Sequence, residues 1–131
     1  MSNLINIPKY SRKIDFWTFL EKAFEKNVKI DLGHFKIICM FLDVMDIYES
    51  LSKDTSKKEA RKTLEKEGIF SKNSEYISGE YLKKHIDRDS RVAVHNRIND
   101  LRKLEFIIET KPGPLGGYKL LETPDWFLNE E

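Results

Sequence analysis

Apolar side chains recur at helical spacing in several segments of this chain. Segment 33–52 carries them around most of its circumference, which predicts a helix buried on several sides. Segment 14–27 has a wide apolar face formed by Ile14, Phe16, Trp17, Leu20, Ala23 and Phe24. The predicted helices cover 14–27, 33–52, 53–68, 78–86 and 90–104, with 28–32 as a short strand or linker.

Polar residues that favour helix ends stand where these segments begin or stop. Asp31, Ser78 and Ser90 are predicted N-caps, because their side chains can accept a hydrogen bond from a free N–H of the first turn. Ser56 and Glu59 form a capping-box pattern, and the segment they open ends at a glycine. The pattern therefore predicts separate short helices and not one long one.

The C-terminal third changes from helical to strand spacing. Val94, Ile98, Leu101 and Leu104 form one helix stripe. Two short β-favouring runs, 106–108 and 118–121, follow and are separated by a loop rich in glycine and proline. Tyr76 and Ile77 predict a further short strand, and the tail after residue 121 ends in an aromatic cluster, Trp126-Phe127-Leu128.

This order of helix, helix and hairpin resembles a winged helix-turn-helix domain. Regulators of the multiple-antibiotic-resistance and arsenical-resistance repressor types carry apolar residues where this chain has Val94, Ile98 and Leu101, followed by a Gly-Leu-Ile-like ending. Here that ending is Glu105-Phe106-Ile107, so a glutamate replaces the usual glycine. The resemblance covers about two-thirds of the chain. It implies a mainly α fold with a small antiparallel β-wing (α+β).

A chain of 131 residues is expected to form one domain. We predict an N-terminal arm and helix in 1–32 and a winged-helix core in 33–121. The charged segment 53–70 is interpreted as a helical insertion, and 122–131 as a tail that docks on the N-terminal helix of the same chain or of a partner.

Positive and negative charges nearly cancel over the whole chain, but they are unevenly distributed along it. Lys and Arg number 23 and Asp and Glu number 22, giving a formal net charge of +1. Between Tyr81 and Lys119, however, nine cations stand against five acids, which favours a polyanionic partner there. The basic N-terminus, with Lys9, Arg12 and Lys13, is either a frayed end or an arm that contacts DNA.

Other classes of function have little support in the sequence. The single cysteine, Cys39, excludes an intrachain disulfide, and no stretch has the length of a transmembrane helix. We therefore expect an intracellular (cytoplasmic) protein without membrane contact. No catalytic motif, cofactor motif or metal-ligand spacing is present, so we expect neither an enzyme nor a cofactor.

The helix that begins at Ser90 is interpreted as the recognition helix of a double-stranded DNA-binding protein. With its apolar stripe buried, Arg91, His95, Asn96 and Asn99 face outward, where asparagine suits adenine and arginine suits guanine. Arg97 is interpreted as a phosphate or ion-pair residue. The predicted DNA contacts are Ser90, Arg91, His95, Asn96, Asn99, Arg97, Lys103, Lys83, Lys84, Lys111 and Lys119.

Several functions remain open at this level. The principal expectation is a transcriptional regulator that acts as a homodimer through the N-terminal helix, helix 33–52 and the C-terminal aromatic residues. A winged helix can also serve as a protein–protein interaction module, or bind DNA in replication or plasmid maintenance. The aromatic face of segment 14–27 fits either the protein core or a dimer contact.

Overall fold

A computed structural model describes residues 14–86, 90–113 and 115–128. In these residues, five helices and three strands follow one another. The helices are α1 Phe16–Glu25, α2 Leu32–Asp54, α3 Lys57–Lys66, α4 Gly79–His85 and α5 Arg91–Lys103, and the strands are β1 Ile77–Ser78, β2 Ile107–Lys111 and β3 Gly117–Glu122. Residues 28–31 form a linker into α2 and not a strand, and Leu32 already belongs to the helix. The predicted α+β winged-helix architecture is confirmed.

The predicted helix caps are in place. The side chains of Asp31, Ser56, Ser78 and Ser90 each accept a hydrogen bond from a backbone N–H in the first turn that follows. Each cap is worth about 1 kcal/mol relative to alanine. The starts of these helices are therefore set by local side-chain hydrogen bonds that the sequence predicts.

The three strands form one antiparallel sheet in the order β1-β3-β2. β3 is central: Ile77 pairs with Tyr118 on one side, and Ile108 pairs with Leu120 on the other. A Cβ on Gly117 would lie 2.1 Å from the carbonyl oxygen of Ile77, so this position can hold only glycine while β1 stays paired. Both wing strands continue further toward the loop than predicted. β2 extends to Lys111, which pairs with Gly117 at the start of β3.

The hydrophobic core lies between α2, the helix-turn-helix and the sheet. α2 contacts α3, α4 and α5, as expected for a helix that is apolar on several sides. The fully buried side chains include Ile37, Ile38, Phe41, Leu82, Val94, Ile98 and Leu101. This core fixes α5 with its predicted stripe inward.

The sequence left the aromatic face of segment 14–27 open between the protein core and a dimer contact, and the structure divides that face between core and surface. Phe19, which we had not assigned to that face, is completely buried together with Ala23. Trp17 is 70% exposed and Phe24 is 88% exposed. The helix lies on the protein body by its Phe19 side. Two members of the predicted face, Ile14 and Ala23, are buried there, and the other members are exposed, namely Phe16, Trp17, Leu20 and Phe24.

The C-terminal tail docks on α1 within the same chain. Phe127 is fully buried, 5.7 Å from Phe19 and 4.9 Å from Phe106 between ring centroids. Ile14 and Leu128 form an isolated antiparallel bridge. Phe106, which the sequence suggested as a strand residue, precedes β2 and completes this aromatic cluster.

The end of α5 explains the unusual Glu105. This residue has a positive φ of 78°, and the N–H of Phe106 donates to the carbonyl oxygen of Leu101 at 3.1 Å. Such a left-handed residue closes a helix and is usually glycine. The chain therefore keeps the glycine-type geometry with a glutamate in it, at a cost in backbone strain.

Some predictions concern residues outside the described part of the chain. They are the basic arm 1–13, the turn 87–89 between α4 and α5, Pro114 in the wing loop and the acidic end 129–131. These stay predictions.

Candidate nucleic-acid interface

Helix α5 has an outward side opposite its buried stripe. His95, Asn96 and Lys103 are exposed, and Val92 is 64% exposed. Asn99 is half-buried, because its Oδ1 accepts a hydrogen bond of 2.9 Å from Nη1 of Arg102. The outward side of α5 thus combines amide, imidazole, ammonium and aliphatic groups.

His95 links this side of α5 to the wing. Its Nδ1 lies 3.3 Å from the hydroxyl of Tyr118 on β3, whose ring is buried. Burial raises the pKa of that hydroxyl, so it remains protonated at neutral pH. The phenol can therefore donate to the imidazole and orient it.

Arg97 lies across the N-terminal end of α2. Its Nε donates to Oδ1 of Asp31 at 3.1 Å, and its Nη2 donates to Oδ2 at 2.5 Å. A Cβ on Gly33 would lie 2.7 Å from Nε of Arg97, so glycine leaves room for this contact. Arg97 is 15% exposed in its side chain, which makes it a structural residue in this conformation.

Hydrogen bonding from Arg97 holds the pKa of the Asp31 carboxyl well below its usual range. The same carboxylate caps α2. One acid therefore serves both the start of α2 and the position of α5.

His34 makes a second link between α2 and α5. Its Nδ1 accepts from the backbone N–H of Asp31 at 2.9 Å, and its Nε2 lies 2.8 Å from Oδ2 of Asp100. Because a carboxylate can only accept, Nε2 is the donor in its contact with Asp100. This histidine is buried and structural, so it is not available to a ligand.

Arg91 is seated on α4 in a similar way. A Cβ on Gly79 would lie 2.8 Å from its guanidinium, and its Nε lies 3.8 Å from Oε2 of Glu80. Glu80 also pairs with Lys83 at 3.1 Å. Two predicted DNA contacts, Arg91 and Lys83, thus share one carboxylate, whereas Lys84 is exposed.

Arg102 is the residue of this surface that our list of predicted contacts omitted. Its Nε and Nη2 donate to the carbonyl oxygen of Ile108 at 3.1 and 2.8 Å, and Nη2 also donates to Thr110 at 2.5 Å. It clamps the last turn of α5 to β2. The sequence could have indicated this role, because an arginine in the last turn of a helix, a few residues before a strand, can donate to backbone carbonyls.

The wing carries less free positive charge than the sequence suggested. Nζ of Lys119 lies 3.3 Å from Oε1 of Glu75 and over the ring of Tyr76, at 6.0 Å from its centroid. Lys111 is half-buried at the end of β2. Of the two predicted wing contacts, Lys119 thus already has an acidic partner.

Among residues 14–86, 90–113 and 115–128, no group of three or more His, Cys, Asp or Glu side chains is placed to hold a metal ion. Within the same residues, no helix combines the length and apolar character needed to cross a membrane.

The comparisons with known proteins agree with this geometry. A family model described as an HTH domain matches residues 62–119, from within α3 to β3, and includes every predicted contact. Residues 62–119 thus form a helix-turn-helix domain, in agreement with the winged-helix fold. Over 113 residues it is 57% identical to an uncharacterized protein of Methanocaldococcus jannaschii, with 86% of each chain covered. The chain belongs to the same family as that protein. No solved structure matches it significantly.

Proposed function

We propose that this protein is a sequence-specific regulator of transcription that binds double-stranded DNA. Helix α5 enters the major groove, and the β2–β3 wing contacts the backbone or the minor groove. The observation that carries the proposal is the outward side of α5, with Asn96 and His95 exposed while Val94, Ile98 and Leu101 anchor the helix from behind.

The chemistry of this side suits base edges. Asn96 can bond an adenine with both amide atoms, and Arg91 at the start of the helix can read guanine. Val92 offers an aliphatic surface for a thymine methyl group. Ser90 and the N-terminal end of α5 suit a phosphate, as do Lys84 and Lys103 on either side of the helix. Lys111 extends the same contact to the wing.

The remaining predicted contacts already have ion-pair or hydrogen-bond partners within the protein. Arg97 acts by holding α5 on α2 through Asp31. Lys83 and Lys119 reach phosphate by exchanging their carboxylate partners for it. Asn99 contacts a base only if Arg102 releases it, so it ranks below Asn96 in the proposal.

We further infer a homodimer through the exposed side of α1. Phe16, Trp17, Leu20 and Phe24 are 48%, 70%, 37% and 88% exposed, and such an aromatic stripe is typical of an interface and not of free surface. Met45 and Ile47 on α2 are exposed as well. A symmetric dimer would read two half-sites roughly 10 bp, or a multiple of that, apart.

Selection from random duplexes, followed by gel shifts, tests the DNA-binding proposal. Asn96→Ala should weaken binding to the selected duplex by roughly 5- to 150-fold, because one bidentate base contact is worth about 1–3 kcal/mol. Binding to random duplex should change little. Lys84→Ala should weaken both equally and reduce the salt slope by about 1.

Lys62→Ala, an exposed change on α3, is the matched control and should have no effect. If Asn96→Ala and Arg91→Ala both left affinity for the selected duplex unchanged at moderate salt, α5 would not be the reading helix.

The exposed α1 stripe also favours a second candidate, a winged-helix module that assembles other proteins. Sedimentation separates the two. In a homodimer, Trp17→Ala should shift the protein toward monomer, whereas Leu115→Ala, which removes an equally exposed side chain on the wing loop, should not. A monomer without duplex affinity would favour the assembly module. DNA binding in replication or plasmid maintenance would be distinguished by where the selected site lies in the genome.

A further inference from the structure

A cavity of about 480 Å³ lies between α2 and the sheet, on the side of α2 that faces β1 and β3. This volume falls within the range of small-molecule sites, roughly 300–1,000 Å³. Its walls are mainly apolar and are formed by Phe41, Val44, Met45, Phe70, Ile77 and Leu120. The cavity is separate from the outward side of α5.

One wall carries a fixed polar network. The hydroxyl of Tyr48 donates to Oε2 of Glu75 at 2.6 Å, while Lys119 contacts Oε1 of the same carboxylate at 3.3 Å. The Tyr48 hydrogen bond lowers the pKa of Glu75, and burial is the main cause that raises the pKa of Tyr48 to about 12. Glu75 is therefore ionised and both of its oxygens are already bonded.

A second polar group at the cavity has no partner. Ser52 lines the cavity, and its Oγ is the one buried side-chain polar atom in the described part of the chain to which no protein group is hydrogen-bonded. A buried hydroxyl without a partner is unfavourable, and native proteins rarely leave one. An occupant with a hydrogen-bonding head would satisfy it.

The charges around the cavity indicate the sign of that head. Lys53, Lys57 and Lys119 line it, against Glu49 and Glu75. Glu75 and Lys119 neutralise each other, so the charges left to an occupant are those of Lys53 and Lys57 against Glu49, and their excess is positive. An apolar body with a single anionic group matches the apolar walls, the Ser52 hydroxyl and these ammonium groups together.

We propose that this cavity binds a small organic acid, with its apolar body among the side chains of α2 and the sheet and its carboxylate toward Ser52 and Lys57. The cavity, the Ser52 hydroxyl and the charges around it support this site independently of whether the protein binds DNA. Because β3 forms part of the wall, the bound acid contacts the central strand of the wing directly.

Titration calorimetry on the full chain without DNA tests whether the cavity binds an organic acid. The probes are octanoate and 2-naphthoate, each compared with its primary amide, which keeps the shape and removes the charge. We expect both acids to bind at one site per chain, at least tenfold more tightly than the amides. Failure of all four probes to bind at millimolar concentration would overturn the proposal, and equal binding of acids and amides would overturn the anionic head.

Two variants locate the site. Lys57→Ala should weaken the acids several-fold and leave the amides unchanged, whereas Lys58→Ala, its exposed neighbour outside the cavity lining, should change neither. Ser52→Met should abolish binding while raising the melting temperature, because it removes the unpartnered hydroxyl and fills apolar space. Equal effects of the two lysine variants would place the acid elsewhere.

Discussion

Replacing Asp31 tests whether one carboxylate both caps α2 and positions the recognition helix. Asp31→Ala removes the N-cap acceptor and the partner of Arg97 in a single change. Asp31→Ser removes the charge but keeps a hydroxyl that can cap the helix. The difference between the two variants therefore separates the cap from the ion pair.

The structure gives the loss of unfolding free energy expected for each variant. The cap is worth about 1 kcal/mol. Two charge-assisted hydrogen bonds join the pair, but the Asp31 side chain is 41% exposed, so screening by solvent reduces the pair to about 1 kcal/mol. Asp31→Ala should thus lower the free energy of unfolding by about 2 kcal/mol and Asp31→Ser by about 1 kcal/mol.

The ion-pair part should depend on pH with a definite sign. The folded-state pKa of Asp31 lies below its unfolded value of about 3.9, so its contribution is complete above that value and is lost as the pH falls through the folded pKa. The stability gap between wild type and Asp31→Ser should therefore be constant near pH 7 and shrink below about pH 4.

Urea titrations at several pH values measure both quantities. Asp54→Ser, which removes the same charge from the exposed end of α2, is the control and should cost little. If Asp31→Ser cost no more than this control, or if its gap did not change with pH, the Asp31–Arg97 pair would not hold α5 in place.

Two further predictions concern the end of the recognition helix. Glu105→Gly should raise the free energy of unfolding by about 1 kcal/mol in the same titrations, because glycine adopts a φ of 78° without strain. Glu105→Ala, which keeps the strain, should give no such gain, and an equal gain would assign the effect to the lost charge. Arg102→Lys keeps the charge but not the forked contact with Ile108 and Thr110, so amide hydrogen exchange in β2 should accelerate while that of Leu82 in α4 stays unchanged. Unchanged exchange in β2 would show that Arg102 does not secure the wing.

The features that the sequence predicted correctly depend on residues that are close together along the chain. Helix caps at Asp31, Ser56, Ser78 and Ser90, and the buried stripe of α5, were predicted correctly because each depends on residues within one or two helical turns. The wing was predicted from its two β-favouring runs and from the glycine- and proline-rich loop between them, although β2 and β3 extend into that segment as far as Lys111 and Gly117.

The candidate site was predicted only as a set of outward positions. Arg97 and Asp31, like His34 and Asp100, meet across 66 residues of sequence. No local pattern indicates that these groups meet, so the ion-pair role of Arg97 could be suggested but its partner could not.

What the sequence by itself determined is the identity of the elements: five helices, a β-wing and an α5 with one apolar side and one polar side. What only the tertiary structure decided is which surfaces meet. Helical periodicity orients side chains about the axis of their own helix, but distant segments determine which way the helix faces. That is why Phe19 is buried beneath Phe127 while Trp17 and Phe24 are exposed, and why Lys119 of the wing is paired with Glu75.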